Sequence, residues 1–174
     1  MGKPTGQTDV VFRTGTPADT AECLALWVEA CARRDGGAIA GVEERARPKF
    51  DRAESWFVAG SPGTGVLGFV LATTPGSGLP GDPSDAPVVG LIAVAPAAQG
   101  RRLGQALMLA VADELSRSGH ERAVLHVLVD NHPAVRLYTS AGWRPLGEPV
   151  EHSLLKRPTQ AYLLDLTLPG TDRR

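Results

Sequence analysis

Cysteine is scarce in this chain: Cys23 and Cys31 are the only two in 174 residues. Two cysteines cannot form the disulfide framework of a small secreted domain, and no Cys/His spacing suits zinc, so no metal site is expected. Both fall in one expected helix, about two turns apart, and read as core residues rather than a redox pair. A surplus of positive charge is also missing. Lys and Arg number 18 against 19 Asp and Glu, a net charge of −1, which leaves no basic footprint for nucleic acid. No apolar run reaches the roughly 18 residues of a membrane-spanning helix. The first residues, MGKPTGQT, lack the apolar core of a signal peptide, and Gly6 breaks the myristoylation pattern. These absences point to a soluble, cytoplasmic protein with no membrane or nucleic-acid partner.

What is present suits one globular domain. A hydrophobic content of 43% over this length is enough for a sizeable core. Residues 1–8 read as a disordered leader, and 9–170 as a single domain. DVVFR, from Asp9, is a short strand. Thr16-Pro17-Ala18-Asp19 has the residue order of a helix start, and Leu24, Trp27 and Val28 continue it with an apolar stripe until Gly36-Gly37. A shorter helix is expected over 42–51. Strands around 56–59 and 66–73 flank the turn sequence SPGTG. Residues 74–87, rich in Pro, Gly and Ser, form an exposed loop. Residues 88–94 are a buried strand. A helix over 101–118 follows, with Leu103, Leu107, Ala110, Val111 and Leu115 on one face and Gly119 at its end. A strand at 123–129, a helix at 133–141, and strands at 143–146 and 161–168 complete the order. Strands and helices mix without strict alternation, which gives a mixed sheet with helices on both faces.

The chemistry starts between the fourth strand and the third helix. Gln99-Gly100-Arg101-Arg102-Leu103-Gly104 is a glycine-bearing basic turn that opens a helix. The first backbone N–H groups of a helix have no carbonyl partner and lie at the positive end of its dipole, so such a turn is an anion site suited to a phosphate or pyrophosphate. The same stretch also reads as a solvated basic helix start. No G-x-x-x-x-G-K-[ST] pattern is present, and no G-x-G-x-x-G follows a strand, so a nucleotide fold is disfavoured.

About thirty residues on, Asn131, Ala134, Leu137, Tyr138, Gly142 and Trp143 fit N-x-x-A-x-x-L-Y-x-x-x-G-[FW]. With the QGRRLG turn ahead of it, this pattern resembles the GNAT acetyltransferase superfamily, whose members move an acetyl group from acetyl-CoA to an amine. The specific part spans roughly 88–147. The resemblance implies an α+β fold: a mixed, largely antiparallel sheet of about seven strands, helices on both faces, and a splay between the fourth and fifth strands. It implies acetyl-CoA as cosubstrate. Its pyrophosphate would lie on backbone N–H groups of Gln99, Gly100, Arg101, Arg102, Leu103, Gly104 and Gln105. The N–H groups of Ala93 and Val94 would face the thioester carbonyl. Asn131 would contact pantetheine, or else simply cap its helix. Tyr138 would quench charge at the departing sulfur, or else serve as a core aromatic.

One position departs from the family. Its turn is usually [QR]-x-x-G-x-[GA], and Arg102 stands where the first glycine is expected. An arginine there keeps its N–H in place if its φ stays negative, as at a helix start, and its guanidinium can reach a phosphate oxygen. The attacking amine must also lose a proton. His126 is the leading general base, in Leu125-His126-Val127, where relatives that acetylate protein N-termini often carry Glu; a strand histidine with an ordinary hydrogen bond is the rival reading. Asp130, His132 and His152 are weaker alternatives. Glu29, Asp35, Glu43 and Glu44 are candidates for attracting a cationic acceptor, or else plain surface. The leading function is an N-acetyltransferase acting by direct attack on a small-molecule amine. A protein N-terminal acetyltransferase, or a non-catalytic acyl-CoA-binding regulatory module, is the alternative. Relatives that dimerise through their last strands make a homodimer an expectation.

Overall fold

The computed structural model describes residues 9–61 and 63–167, so the expected leader and Leu168 fall outside it. Seven strands and four helices run in the anticipated order: β1 (Val11–Thr14), α1 (Thr20–Asp35), α2 (Val42–Phe50), β2 (Ala53–Ser61), β3 (Gly65–Thr73), β4 (Val88–Val94), α3 (Leu103–Arg117), β5 (Arg122–Leu128), α4 (His132–Ser140), β6 (Arg144–Glu151) and β7 (Pro158–Asp165). The capping residues act one step earlier than the sequence suggests. Thr16 opens a short 3-10 turn, Pro17–Asp19, and α1 follows it. The Asp19 carboxylate accepts the Thr16 N–H at 2.9 Å and a two-pronged bond from Arg13 at 2.7 and 2.6 Å. β6 is longer than anticipated and β7 begins earlier, at Pro158, because the closing hairpin extends into EHSLLKRPTQ and leaves 152–157 between the strands. Gly119, at φ +90°, ends α3.

The sheet order is β1-β2-β3-β4-β5-β7-β6. Every neighbouring pair is antiparallel except β4 and β5, which run parallel and pair only at Val88–Val124 and Val89–Leu125. Beyond those two pairs the strands part, so the fold is a mixed α+β sheet splayed between its fourth and fifth strands. The bulge in β4 falls at the same level, where Leu91 opposes Leu71 but Val89 opposes Ala72, leaving Gly90 unmatched.

Apolar layers cover both faces. On one, α3 buries Leu103, Leu107, Met108, Val111, Ala112 and Leu115 against the sheet; Met108 and Ala112 join the stripe and Ala110 stays at its margin. On the other, Cys23, Leu24, Leu26, Ala46 and Phe50 of α1 and α2 pack on Trp56, Phe69, Leu71 and Leu91. Both cysteines are buried, and burial pushes the Cys23 thiol up to about 12, which suits an inert packing residue. These layers hold the splay open from both sides. Among the described residues no helix is long and apolar enough to cross a membrane.

Candidate active site

The register of β3 and β4 decides which backbone groups face the splay. The Ala95 N–H donates to the Leu67 carbonyl at 2.7 Å, so Ala95 and Leu67 form a hydrogen-bonded pair. Antiparallel pairs alternate, so Ala93–Phe69 and Leu91–Leu71 are bonded pairs as well, while Val94–Gly68 and Ile92–Val70 are not. The polar groups of Ile92 and Val94 therefore point away from β3, into the gap that β5 has left. The Ala93 N–H is turned into the ladder, which removes it from the set anticipated to face the thioester. Ile92 was missed because hydrogen-bond phase cannot be read from an apolar run.

Below the gap, α3 begins without a capping side chain, and its first intrahelical bond is Ala106 N–H to the Arg102 carbonyl at 3.1 Å. The N–H groups of Leu103, Gly104 and Gln105 precede that bond and are left for a ligand. They border a groove of about 360 Å³ lined by Val94, Gln99, Gly100, Arg102, Leu103 and Leu137 among others. Gly100 has φ +79°, and Arg102 has φ +56° and ψ +24°. Arg102 is thus left-handed, not in the negative-φ conformation anticipated for it. The turn keeps the shape a glycine would give it, and a side chain there costs about 1 kcal/mol. The groove fits a pyrophosphate: unpaired N–H groups, a helix N-terminus and an arginine converge on it.

Tyr138 of α4 is buried, and burial pushes its phenol up to about 12, slightly offset by the charge of Arg34. Among the described residues nothing hydrogen-bonds its hydroxyl, so a neutral donor is left for a ligand. Asn131 caps α4, its Oδ1 accepting from the Ala134 N–H at a long 3.5 Å. Its side-chain N–H groups remain free for a second contact.

The side of the splay under α1 and α2 is made of charge. His126 shares a sheet face with Val124, opposite the α3 layer, and Ala161 is its cross-strand neighbour. Its Nε2 lies 2.8 Å from Asp82 Oδ2, in the 74–87 loop, off the ring N–H axis. That loop therefore folds against the site instead of standing free, and Asp82 is a neighbour no sequence spacing announced. With Nε2 facing a carboxylate, Nδ1 is the nitrogen left to take a proton. Of the other titratable candidates, His132 opens α4, and Asp130 and His152 are committed. Asp130 receives two bonds from Arg157, each at 2.8 Å. His152 Nδ1 accepts the N–H groups of Leu154 and Leu155 at 3.2 and 3.1 Å, which fixes the neutral ring as an Nε2–H donor. Burial, then Arg45, Arg34 and Lys49, hold His152 below the usual imidazole range.

The acidic residues anticipated to attract a cation are mostly occupied. Asp35 is clamped by Arg34 and Arg157 at 2.8 Å each, Glu29 pairs with Arg33 at 2.8 Å, and Glu43 pairs with Arg47. Lys49 belongs to no motif in the sequence. Its ammonium lies 3.4 Å from the Gly90 carbonyl, at the β4 bulge. Among the described residues no group of three His, Cys, Asp or Glu side chains is arranged to hold a metal.

Known proteins share this architecture. The "Acetyltransferase (GNAT) family" model matches residues 22–143. A mycothiol acetyltransferase of Sanguibacter keddieii is 43% identical over 102 residues, 52% of this chain but 30% of that protein. The chain thus spans about a third of the curated relatives it matches. The ribosomal-protein-S18-alanine N-acetyltransferase of Escherichia coli superposes with a TM-score of 0.66 at 20% identity, covering 93% of this chain and 97% of that one. A chain of the NatC complex bound to Gag peptide and CoA gives a TM-score of 0.70 at 16% identity, covering 91% and 99%. The chain belongs to the GNAT acetyltransferase family.

Proposed function

We propose that the protein is an acetyl-CoA-dependent N-acetyltransferase whose acceptor is a small-molecule amine. The observation that carries this reading is the splay itself: free backbone groups of Ile92 and Val94 on one side, an uncapped helix start beneath, and an unbonded phenol beside it. Acetyl-CoA would supply the activated acyl group. Gln99, Gly100, Arg101, Arg102, Leu103, Gly104 and Gln105 would hold its pyrophosphate, Asn131 its pantetheine arm. The N–H groups of Ile92 and Val94 would bond the thioester oxygen as negative charge develops on it. His126 Nδ1 would take the proton of the attacking amine, with Asp82 against the other ring nitrogen. Tyr138 would donate a hydrogen bond to the departing sulfur. Its raised pKa keeps it protonated, so it stabilises the thiolate by hydrogen bonding more than by full proton transfer.

The test is calorimetric titration with acetyl-CoA, with ATP as control, followed by an amine and peptide panel read by thiol release. Selective micromolar binding and amine-dependent release are the expected results. Binding with no release from any acceptor would replace this reading with a non-catalytic acyl-CoA-binding module. Release with peptides alone would shift the acceptor to protein N-termini.

A further inference from the structure

Lys49 is placed where a lysine with no task is costly. Its side chain crosses Gly90 so closely that a Cβ there would lie 3.3 Å from Nζ and 3.4 Å from Cδ. Glycine at the bulge is what lets the ammonium reach the sheet. The parallel register that begins at Val88–Val124 puts Gly90 level with His126. Lys49 therefore sits at the open edge of β4, on the face that carries His126. It is half-buried, and among the described residues no carboxylate comes within ion-pair distance; its hydrogen bond to the Gly90 carbonyl is at the distance limit.

Its surroundings carry the same sign. Arg45, one helical turn earlier on α2, donates to Ser153 Oγ at 2.8 Å rather than to an acid. Asp35, Asp130 and Asp82 are the carboxylates on this side of the splay; Arg34 and Arg157 hold the first two, and Asp82 faces His126. That leaves Lys49, Arg45 and Arg52 as cations without an ion pair among the described residues, and the His152 ring, on which the Arg45 and Lys49 charges act, is a further N–H donor.

We propose that this mouth is an anion subsite for the acceptor, in which Lys49, with Arg45 and the Nε2–H of His152, holds a carboxylate or phosphate group carried by the amine. The inference rests on the transferase reading for its purpose, but not for its test. Anchoring the acceptor by its anion leaves the amine free to point across Gly90 toward His126. Burial first, and then the charges of Arg52 and Arg45, hold the Lys49 ammonium below its usual range, and the same surroundings favour a neutral amine over an ammonium.

The experiment saturates the protein with CoA, which fills the pyrophosphate groove, and titrates O-phosphoethanolamine, β-alanine and ethanolamine by calorimetry. At least one anionic amine should bind about tenfold more tightly than ethanolamine. Lys49→Met should abolish that preference and Lys49→Arg should restore it. Which anionic probe wins separates phosphate from carboxylate. Equal binding of all three, or a preference that survives Lys49→Met in folded protein, overturns the subsite. Should Lys49→Met fail to fold, the exposed Arg45→Gln decides: it should cut the preference about threefold, and an unchanged preference refutes the proposal. Binding is read without turnover, so a protein that shows the preference yet acetylates nothing refutes the transferase reading alone.

Discussion

The two sides of the splay are built from different materials. Toward α3 and α4, the groove is backbone and apolar side chain: β4 groups, the 99–105 turn and Leu137, with Arg102 as the nearest charge. Toward α1 and α2, Asp35, Lys49, Asp82, His126, His152 and Arg157 come from five separate segments and are held largely by ion pairs and hydrogen bonds. A backbone site binds whatever fits its shape and tolerates many side chains. A charged site selects by sign and depends on every partner. The first suits a ligand common to a family, the second an acceptor particular to one member.

The comparison is broken most severely at Asp35. Asp35→Asn leaves Arg34 and Arg157 facing each other without a carboxylate and should cost about 3 kcal/mol in urea unfolding. The two arginines hold the folded pKa of Asp35 below its ordinary value of 3.8. Its contribution is therefore complete above that value and lost as pH falls through the lowered one, so the mutant and wild-type midpoints should converge in acid. His126→Ala should lower kcat/KM about a hundredfold and remove the acidic limb of the pH–rate profile; an unchanged profile would take the base role from it. On the opposite side, Tyr138→Phe should lower kcat about tenfold with acetyl-CoA affinity retained, because it removes one hydrogen bond made late in the reaction. The smallest effect sharpens the contrast. Arg102→Gly should relieve the left-handed strain and raise stability by up to about 1 kcal/mol, while weakening acetyl-CoA binding a few-fold. If affinity is unchanged, the groove is held by backbone alone.

The QGRRLG turn and the Asn131–Trp143 pattern were legible because each depends on local geometry. A helix start, a tight turn and a helix stop restrict residue type at fixed spacing. The charged side was not legible for the converse reason: Asp82 and His126 are 44 positions apart, Lys49 and Gly90 are 41 apart, and no local rule links them. Asp35 illustrates the resulting error. As a residue near a helix end it reads as available acid, whereas Arg157, 122 positions away, has already claimed it.

By itself the sequence determined the element order, the family and the location of the glycine-bearing helix start that borders the groove, since periodicity, caps and glycine placement act over a few residues. Tertiary structure decided the hydrogen-bond phase that turns Ile92 and Val94 outward, the left-handed turn at Arg102, and which charges on the α1 and α2 side are left unpaired. Those depend on which strand is a neighbour and which ion pairs close first, and both are settled only when distant segments meet.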